Sequence, residues 1–323
     1  MFPLHNNQFE NDMTYAIVFP GQGSQAVGML STHTDPIVAA TLKEAGEVLG
    51  WDLPGLIRNG PEEELNRTER TQPALLAASI ALWRLWQSKS LPRPAAFAGH
   101  SLGEYSALVA AGSLEFADAL KLVELRGQLM QAAVPAGVGG MTAVVGLEDA
   151  QIEALCAQWD GQGVLEPVNY NAPGQVVVAG NVAALDWLEA QAKPAGARMA
   201  VRLPMSVPSH CSLMREAAEK LFAYMGSIAF HAPVIPVFHN LDGEARAQPD
   251  AIREALREQL YRPVRWTRTI QRLSDRGVEL FIECGPGKVL AGLNKRIVKD
   301  RQTVGLDIRE SMEKAIATLG EKG

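Results

Sequence analysis

The chain has 323 residues, 47% hydrophobic and 20% charged, which is ample material for a packed core and excludes disorder as its class. A formal net charge of −6 argues against nucleic acid as the main partner. Three widely separated cysteines, Cys156, Cys211 and Cys284, form neither a disulfide framework nor a zinc spacing and suit a reducing cytoplasm.

Residues 1–12 (MFPLHNNQFEND) lack the apolar core of a targeting signal and are expected to be a disordered extension. Tyr15–Phe19 (YAIVF) predicts a buried strand that enters the tight turn Pro20-Gly21-Gln22-Gly23. Helices are predicted at Glu62–Leu65 and Gln72–Trp86. The apolar stretch Ala74–Trp86 is shorter than the ~20 residues a bilayer span takes, so no membrane partner is expected. Arg93–Gly99 predicts a strand, Leu102–Ala111 a helix, and Phe116–Ala133 a long amphipathic helix with Leu120, Val123, Leu125 and Leu129 inward.

Residues 141–203 read β-α-β-β-α-β. The strands are Met141–Leu147, Val164–Tyr170, Gln175–Ala179 and Arg198–Leu203; the helices are Glu148–Trp159 and Val182–Ala192. That order is the split βαβ arrangement. Beyond it, Cys211–Met225, Ala251–Leu260 and Thr267–Asp275 are helical, Val234–Phe238 and Glu279–Glu283 are strands, and a last helix starts at Val289. Strands alternating with helices imply an α/β protein with a mainly parallel sheet. The expected organisation is a large lobe of residues 13–137 and 207–310, a small inserted lobe of 138–206, and a C-terminal tail of 311–323.

The strongest chemical signal is Gly99-His100-Ser101-Leu102-Gly103, a G-x-S-x-G pattern between a predicted strand and a predicted helix. In that context the serine occupies a sharp turn, its hydroxyl stands clear of the sheet, and the N–H of Leu102 is free to donate to an oxyanion. A serine nucleophile needs a base. His210 and His239, each at a turn next to a predicted element, are nearly tied for that role. The Gly21-Gln22-Gly23 turn lacks the Lys-Ser/Thr of a phosphate loop; the N–H of Gln22 is a candidate second oxyanion donor. Arg126 lies on the long helix among Leu122, Val123, Leu125 and Leu129, and an inward arginine there calls for a carboxylate from protein or substrate.

Seven segments in order carry a resemblance: FPGQGSQ at 19–25, GHSLGEYSAL at 99–108, Arg126-Gly127, NAPGQVVVAG at 171–180, VPSHCSLM at 207–214, QLYRPVRW at 259–266 and ECGPGKVL at 283–290. Together, from about Met13 to Asp307, the chain resembles the malonyl-CoA:acyl carrier protein transacylases of fatty acid synthesis. The resemblance implies an α/β-hydrolase-like large lobe and an inserted ferredoxin-like small lobe. It implies a ping-pong transfer of malonyl from malonyl-CoA to the carrier's phosphopantetheine thiol through a malonyl-serine, with no bound cofactor and no metal. Its site residues would be Ser101 as nucleophile, His210 as base, Gln22 and Leu102 in the oxyanion hole, and Arg126 on the malonyl carboxylate. Gln259 would accept a hydrogen bond from the histidine and, with Asn171, line the substrate site. No acidic third member is implied, which removes Glu283 from that role. Ser209 stands where malonyl-selective domains of modular polyketide synthases often have phenylalanine, so exclusion of a methyl branch does not rest on that position. An acidic carrier calls for a basic patch, for which Lys288, Lys295, Arg296, Lys299 and Arg301, with Arg262, Arg265, Arg268 and Arg272, are the candidates. A serine hydrolase and a non-catalytic carrier-docking module are the rival functions.

Overall fold

A computed structural model of the chain describes residues 13–135, 137–205 and 207–320. The extension expected at 1–12 lies outside the described residues. β1 (Tyr15–Phe19) is followed by α1 (Pro36–Leu49), α2 (Leu53–Asn59), α3 (Glu62–Leu65) and α4 (Thr68–Gln87). Next come β2 (Ala96–Gly99), α5 (Gly103–Ala110) and α6 (Phe116–Ala133). β3 (Gly139–Val145), α7 (Asp149–Cys156), β4 (Leu165–Ala172), β5 (Gln175–Asn181), α8 (Val182–Ala192) and β6 (Met199–Arg202) form a separate group. The chain then runs through α9 (Arg215–Met225), β7 (Val237–Phe238), α10 (Pro249–Gln259) and α11 (Trp266–Asp275). It ends with β8 (Leu280–Glu283), α12 (Val289–Ile297), β9 (Gln302–Gly305) and α13 (Arg309–Gly320).

The first sheet has the order β7-β2-β1-β8-β9, and every neighbouring pair is parallel. β1 sits at its centre. Tyr15, Ile17 and Phe19 pack into one core, and Ala16 and Val18 into a second on the opposite face. A strand covered on both faces has no solvated side, which is why its sequence is apolar throughout rather than alternating. The second sheet, β4-β5-β3-β6, is antiparallel. α7 and α8 cover one face, burying Val144, Val176 and Val178 against Ile152, Leu185 and Leu188. Its other face packs Met141, Val168, Val177 and Ala179 on Cys211, the residue after His210.

Two parts of the chain depart from the sequence-based expectation. α1 and α2 were not anticipated, although α1 has a full set of local signals. Asp35 caps it by accepting from the N–H of Ile37 (2.9 Å), Pro36 follows, and Gly50 closes it at φ +74°. The tail expected from 311 is instead most of α13, which buries Met312, Ala315 and Leu319 in the main core, next to the unanticipated edge strand β9. Among the described residues, no helix is long and apolar enough to cross a membrane.

The parallel sheet positions the site. The turns after β1, β2 and β7 leave the carboxyl ends of adjacent strands, where open α/β sheets bind their ligands. Those three turns carry Gln22, Ser101 and Asn240.

Candidate active site

Ser101 sits between β2 and α5 with φ +51°, a left-handed conformation that costs a serine about 1–3 kcal/mol. The surroundings hold it there. Its N–H donates to Asn240 Oδ1 (2.6 Å), and its carbonyl accepts from Gln259 Nε2 (2.9 Å). Asn240 also donates to the carbonyl of Gly99, so one side chain clamps the turn at two points. The glycines of the motif are steric requirements: a Cβ on Gly99 would lie 1.9 Å from the carbonyl carbon of Gly103, and one on Gly103 would lie 2.0 Å from the carbonyl oxygen of Phe19. The start of α5 is thereby pressed onto the ends of β1 and β2.

His210 Nε2 lies 2.8 Å from Ser101 Oγ. Its Nδ1 lies 2.7 Å from the backbone carbonyl of Gln259, which can only accept. The proton is therefore on Nδ1, and Nε2 offers its lone pair to the serine hydroxyl. Burial, with help from the Arg126 cation, pushes the His210 pKa down to about 3, so the ring is neutral at ordinary pH. Its backbone is also left-handed, at φ +65°, and its N–H donates to the carbonyl of Leu260 (3.1 Å). Two residues on, Glu166 of β4 accepts from the Ser212 N–H (3.0 Å) and hydroxyl. The antiparallel sheet thus anchors the histidine segment.

Arg126 is 1% exposed and points inward from α6. The buried stripe of that helix is Leu122, Val123, Arg126, Gly127 and Met130; Leu125 and Leu129, expected inward, are only partly buried. Gly127 explains the rotation. A Cβ there would lie 2.6 Å from Cα of Glu69, so α6 crosses α4 in backbone contact at that point, and the neighbouring Arg126 reaches Gln72. Nη1 donates to Gln72 Oε1 (2.8 Å); Nη2 donates to Gln259 Oε1 (3.1 Å) and Ser101 Oγ (3.3 Å). All three acceptors are neutral. Among the described residues no carboxylate pairs with Arg126, and its Nε–H has no acceptor. Desolvation pushes its pKa down, opposed by the Tyr105 phenol and the Glu104 carboxylate.

Ser101, His210, Arg126, Gln22, Leu102 and Asn171 line one cavity of about 140 Å³, together with Ser209, Asn169 and the apolar Met130, Leu203 and Leu293. Gln22 is fixed through its side chain, whose Nε2 donates to Thr68 Oγ1 (3.1 Å) at the start of α4. Among the described residues, neither the Gln22 nor the Leu102 backbone N–H donates to a protein acceptor. Asn171 Oδ1 accepts from His100 Nε2 (2.8 Å), and the His100 ring packs edge-on against Trp266. Gln259 does not line the cavity. It is buried behind it, its backbone carbonyl holding His210 and its amide holding Arg126.

The other candidates lie elsewhere. His239 is fully buried behind the turn and paired with Glu104 (2.7 Å). The Glu283 carboxylate accepts the N–H groups of Leu290 and Ala291 (3.0 and 2.7 Å), which makes it the cap of α12; burial raises its pKa to about 7. Much of the basic run is engaged: Arg262, Arg272 and Lys288 pair with Glu258, Glu244 and Asp307, and Arg296 bonds to Gln175 and the Pro173 carbonyl. Gln72, Glu104 and Asn240 complete the site without having been anticipated. Among the described residues, no cluster of three or more His, Cys, Asp or Glu is arranged to hold a metal ion.

Residues 16–317 match the acyl transferase domain family. The malonyl CoA-acyl carrier protein transacylase of Salmonella typhimurium is 54% identical over 286 residues, 88% of this chain and 93% of that protein. The same-named protein of Escherichia coli K12 is 52% identical over 304 residues, covering 94% and 98%. An acyl carrier protein S-malonyltransferase from Vibrio cholerae superposes with TM-score 0.91 at 54% identity, covering 94% of this chain and 99% of that one. A malonyl-transacylase solved in complex with a type II PKS acyl-carrier protein gives TM-score 0.93 at 48% identity, covering 94% and 99%. With its sheet order, its serine turn and these relatives taken together, the chain belongs to the acyl transferase family and, within it, to the malonyl-CoA–acyl carrier protein transacylases.

Proposed function

We propose that this chain transfers malonyl from malonyl-CoA to the phosphopantetheine thiol of acyl carrier protein through a malonyl ester on Ser101, supplying fatty acid synthesis. The observation that carries the reading is a buried arginine with neutral protein partners, 3.3 Å from a serine hydroxyl that also faces a neutral histidine. One end of the cavity takes a carboxylate and the other acylates.

His210 Nε2 takes the Ser101 proton as the oxygen attacks the thioester carbonyl, and the tetrahedral oxyanion falls to the N–H groups of Leu102 and Gln22. Each such donor is worth about 2.7–4 kcal/mol of barrier. Collapse expels the coenzyme A thiolate, which takes the proton from His210. The carrier thiol then gives its proton to His210 and attacks the ester, and Ser101 leaves with that proton restored. The Gln259 carbonyl, in the place a triad acid occupies, holds the imidazole in the right tautomer and stabilises the imidazolium. Malonyl-CoA is a substrate, and no step calls for a cofactor. We assign residues 13–137 and 207–310 to one lobe and 138–206 to the other. A cytoplasmic location suits three unpaired, buried cysteines.

The rival hydrolase uses the same two side chains, and water as acceptor separates them. With malonyl-CoA alone, coenzyme A release is expected to stop after one equivalent per enzyme; adding carrier protein restores turnover. Continued release without carrier overturns the transferase reading.

The depressed His210 pKa has a signed consequence. The free enzyme keeps a neutral base well below pH 6.5, so kcat/KM for malonyl-CoA is expected to show no acid limb between pH 5.5 and 7.5. The unfolded chain binds this proton first, near the ordinary histidine value of about 6.5. Stability from this group is therefore complete above that pH and is lost as pH falls from there toward 3. A pH–rate profile with a limb near 6.5 refutes the neutral-base assignment.

A further inference from the structure

Arg126 keeps its charge in a buried site with no acid beside it, and one carboxylate stands behind it in the same network. Glu104 is on α5, three residues past the nucleophile, and is 0% exposed. Its Oε1 accepts from His239 Nδ1 (2.7 Å). Its Oε2 accepts from the Asn240 N–H (2.9 Å) and from Gln259 Nε2 (3.1 Å). The same Gln259 amide presents its oxygen to Arg126 Nη2 at 3.1 Å. An amide is nearly symmetric in shape, so packing alone does not choose between its two orientations. The Glu104 carboxylate and the Ser101 carbonyl, which accepts from the same Nε2 at 2.9 Å, can only accept, and that chooses: the NH₂ must face them, so the oxygen must face Arg126. The flipped amide would set N–H groups against a cation. Mechanism has no use for Glu104 directly, since it touches neither the cavity nor the reacting atoms.

We propose that Glu104 is a positioning residue for malonyl selectivity: with the Ser101 carbonyl it holds the Gln259 amide toward Arg126, and it balances the guanidinium charge from outside the cavity, leaving the cation's remaining hydrogen-bonding edge to the substrate carboxylate. A carboxylate in direct contact would neutralise Arg126 and compete with malonyl. One held a residue away steadies the arginine without occupying it. The inference rests on the reading of Arg126 as the malonyl-binding group.

The test is single-turnover acylation of Ser101 by malonyl-CoA and by acetyl-CoA, comparing wild type, Glu104→Gln, Arg126→Ala and the double variant. Glutamine keeps the size of the side chain and, with its oxygen held on the Asn240 N–H, an acceptor for Gln259, so it removes the charge and its stronger hydrogen bond while leaving the amide in place. The malonyl-to-acetyl rate ratio is expected to fall roughly tenfold in E104Q, the scale of one weakened hydrogen bond to a charged group. Added to Arg126→Ala, E104Q should lower the ratio no further. Equal losses for both acyl groups, or an unchanged ratio, overturn the proposal and leave Glu104 as a support of the serine turn. Arg126→Ala separates the two readings. If it lowers both reactions equally, the malonyl-binding assignment itself is wrong; if it is selective and E104Q is not, only this inference fails. Should E104Q not fold, Gln259→Met removes the same link while keeping the backbone carbonyl for His210. The ratio is then expected to fall by a similar factor, and an unchanged ratio again refutes the link from Glu104 through Gln259 to Arg126.

Discussion

Ser101→Ala is expected to abolish the malonyl adduct and to reduce transfer by about 10⁴–10⁶-fold, the loss that follows when a nucleophile acting as a unit with its base is removed. In the proposed mechanism two groups act on that oxygen: His210 Nε2, 2.8 Å away, would take its proton, and Arg126 Nη2, 3.3 Å away, would set where the acyl tail goes. His210→Ala is expected to cost nearly as much, because among the described residues no second base faces the hydroxyl. His239→Ala is the informative control. Its ring is on the far side of the turn, bonded to Glu104, so its loss is expected to destabilise the fold by about 1–3 kcal/mol while the folded enzyme still acylates. Mass spectrometry of the peptide carrying residue 101, after brief incubation with malonyl-CoA, reads all three. An adduct persisting in Ser101→Ala would remove the nucleophile assignment; an adduct lost only in His239→Ala would mean the base was misplaced.

The parts of the fold legible in the sequence were those with local cause. β1, α3, α6 and α8 begin and end where the residue pattern places them, because an unbroken apolar run, an amphipathic stripe and a Pro or Gly stop act over a few residues. α1 is equally legible: Asp35, Pro36 and Gly50 are ordinary start and stop signals. In α13, Met312, Ala315 and Leu319 have helical spacing, so its burial was readable too. The serine turn was legible because its glycines and its strand–helix context are contiguous. Its supports were not. Asn240 meets Ser101 across 139 positions, Gln259 meets Arg126 across 133, and Gln259 meets Glu104 across 155. No periodicity links residues that far apart; the β2–β7 pairing and the end of α10, where Gln259 bonds to Ser101 and Glu104, bring them together. The tie between His210 and His239 has the same origin. Both stand at turns beside the sheet, and only the three-dimensional path puts one in the cavity and the other behind it.

Arg126→Ala is expected to reverse the acyl preference rather than simply weaken the enzyme. A bidentate arginine–carboxylate contact in a closed site is charge-assisted at both ends, and its loss should lower kcat/KM for malonyl-CoA by about 10²–10³-fold, or ~3–4 kcal/mol. Acetyl-CoA presents a methyl group there. In the wild-type cavity that methyl leaves a desolvated cation facing an apolar group, a penalty the site imposes on the wrong substrate. Alanine removes the penalty along with the attraction, so acetyl transfer should hold or rise. The amides of Gln72 and Gln259 would then face a small void beside Tyr105, and a modest fall in melting temperature should accompany the change. Arg126→Lys should fall between the two: an ammonium keeps the charge, but it cannot span both amides and a carboxylate with fixed geometry. Parallel kinetics with both thioesters decide the matter. Equal losses would mean that Arg126 only supports Ser101 and the serine turn, and the selectivity of the site would then have to come from the apolar wall of Met130, Leu203 and Leu293.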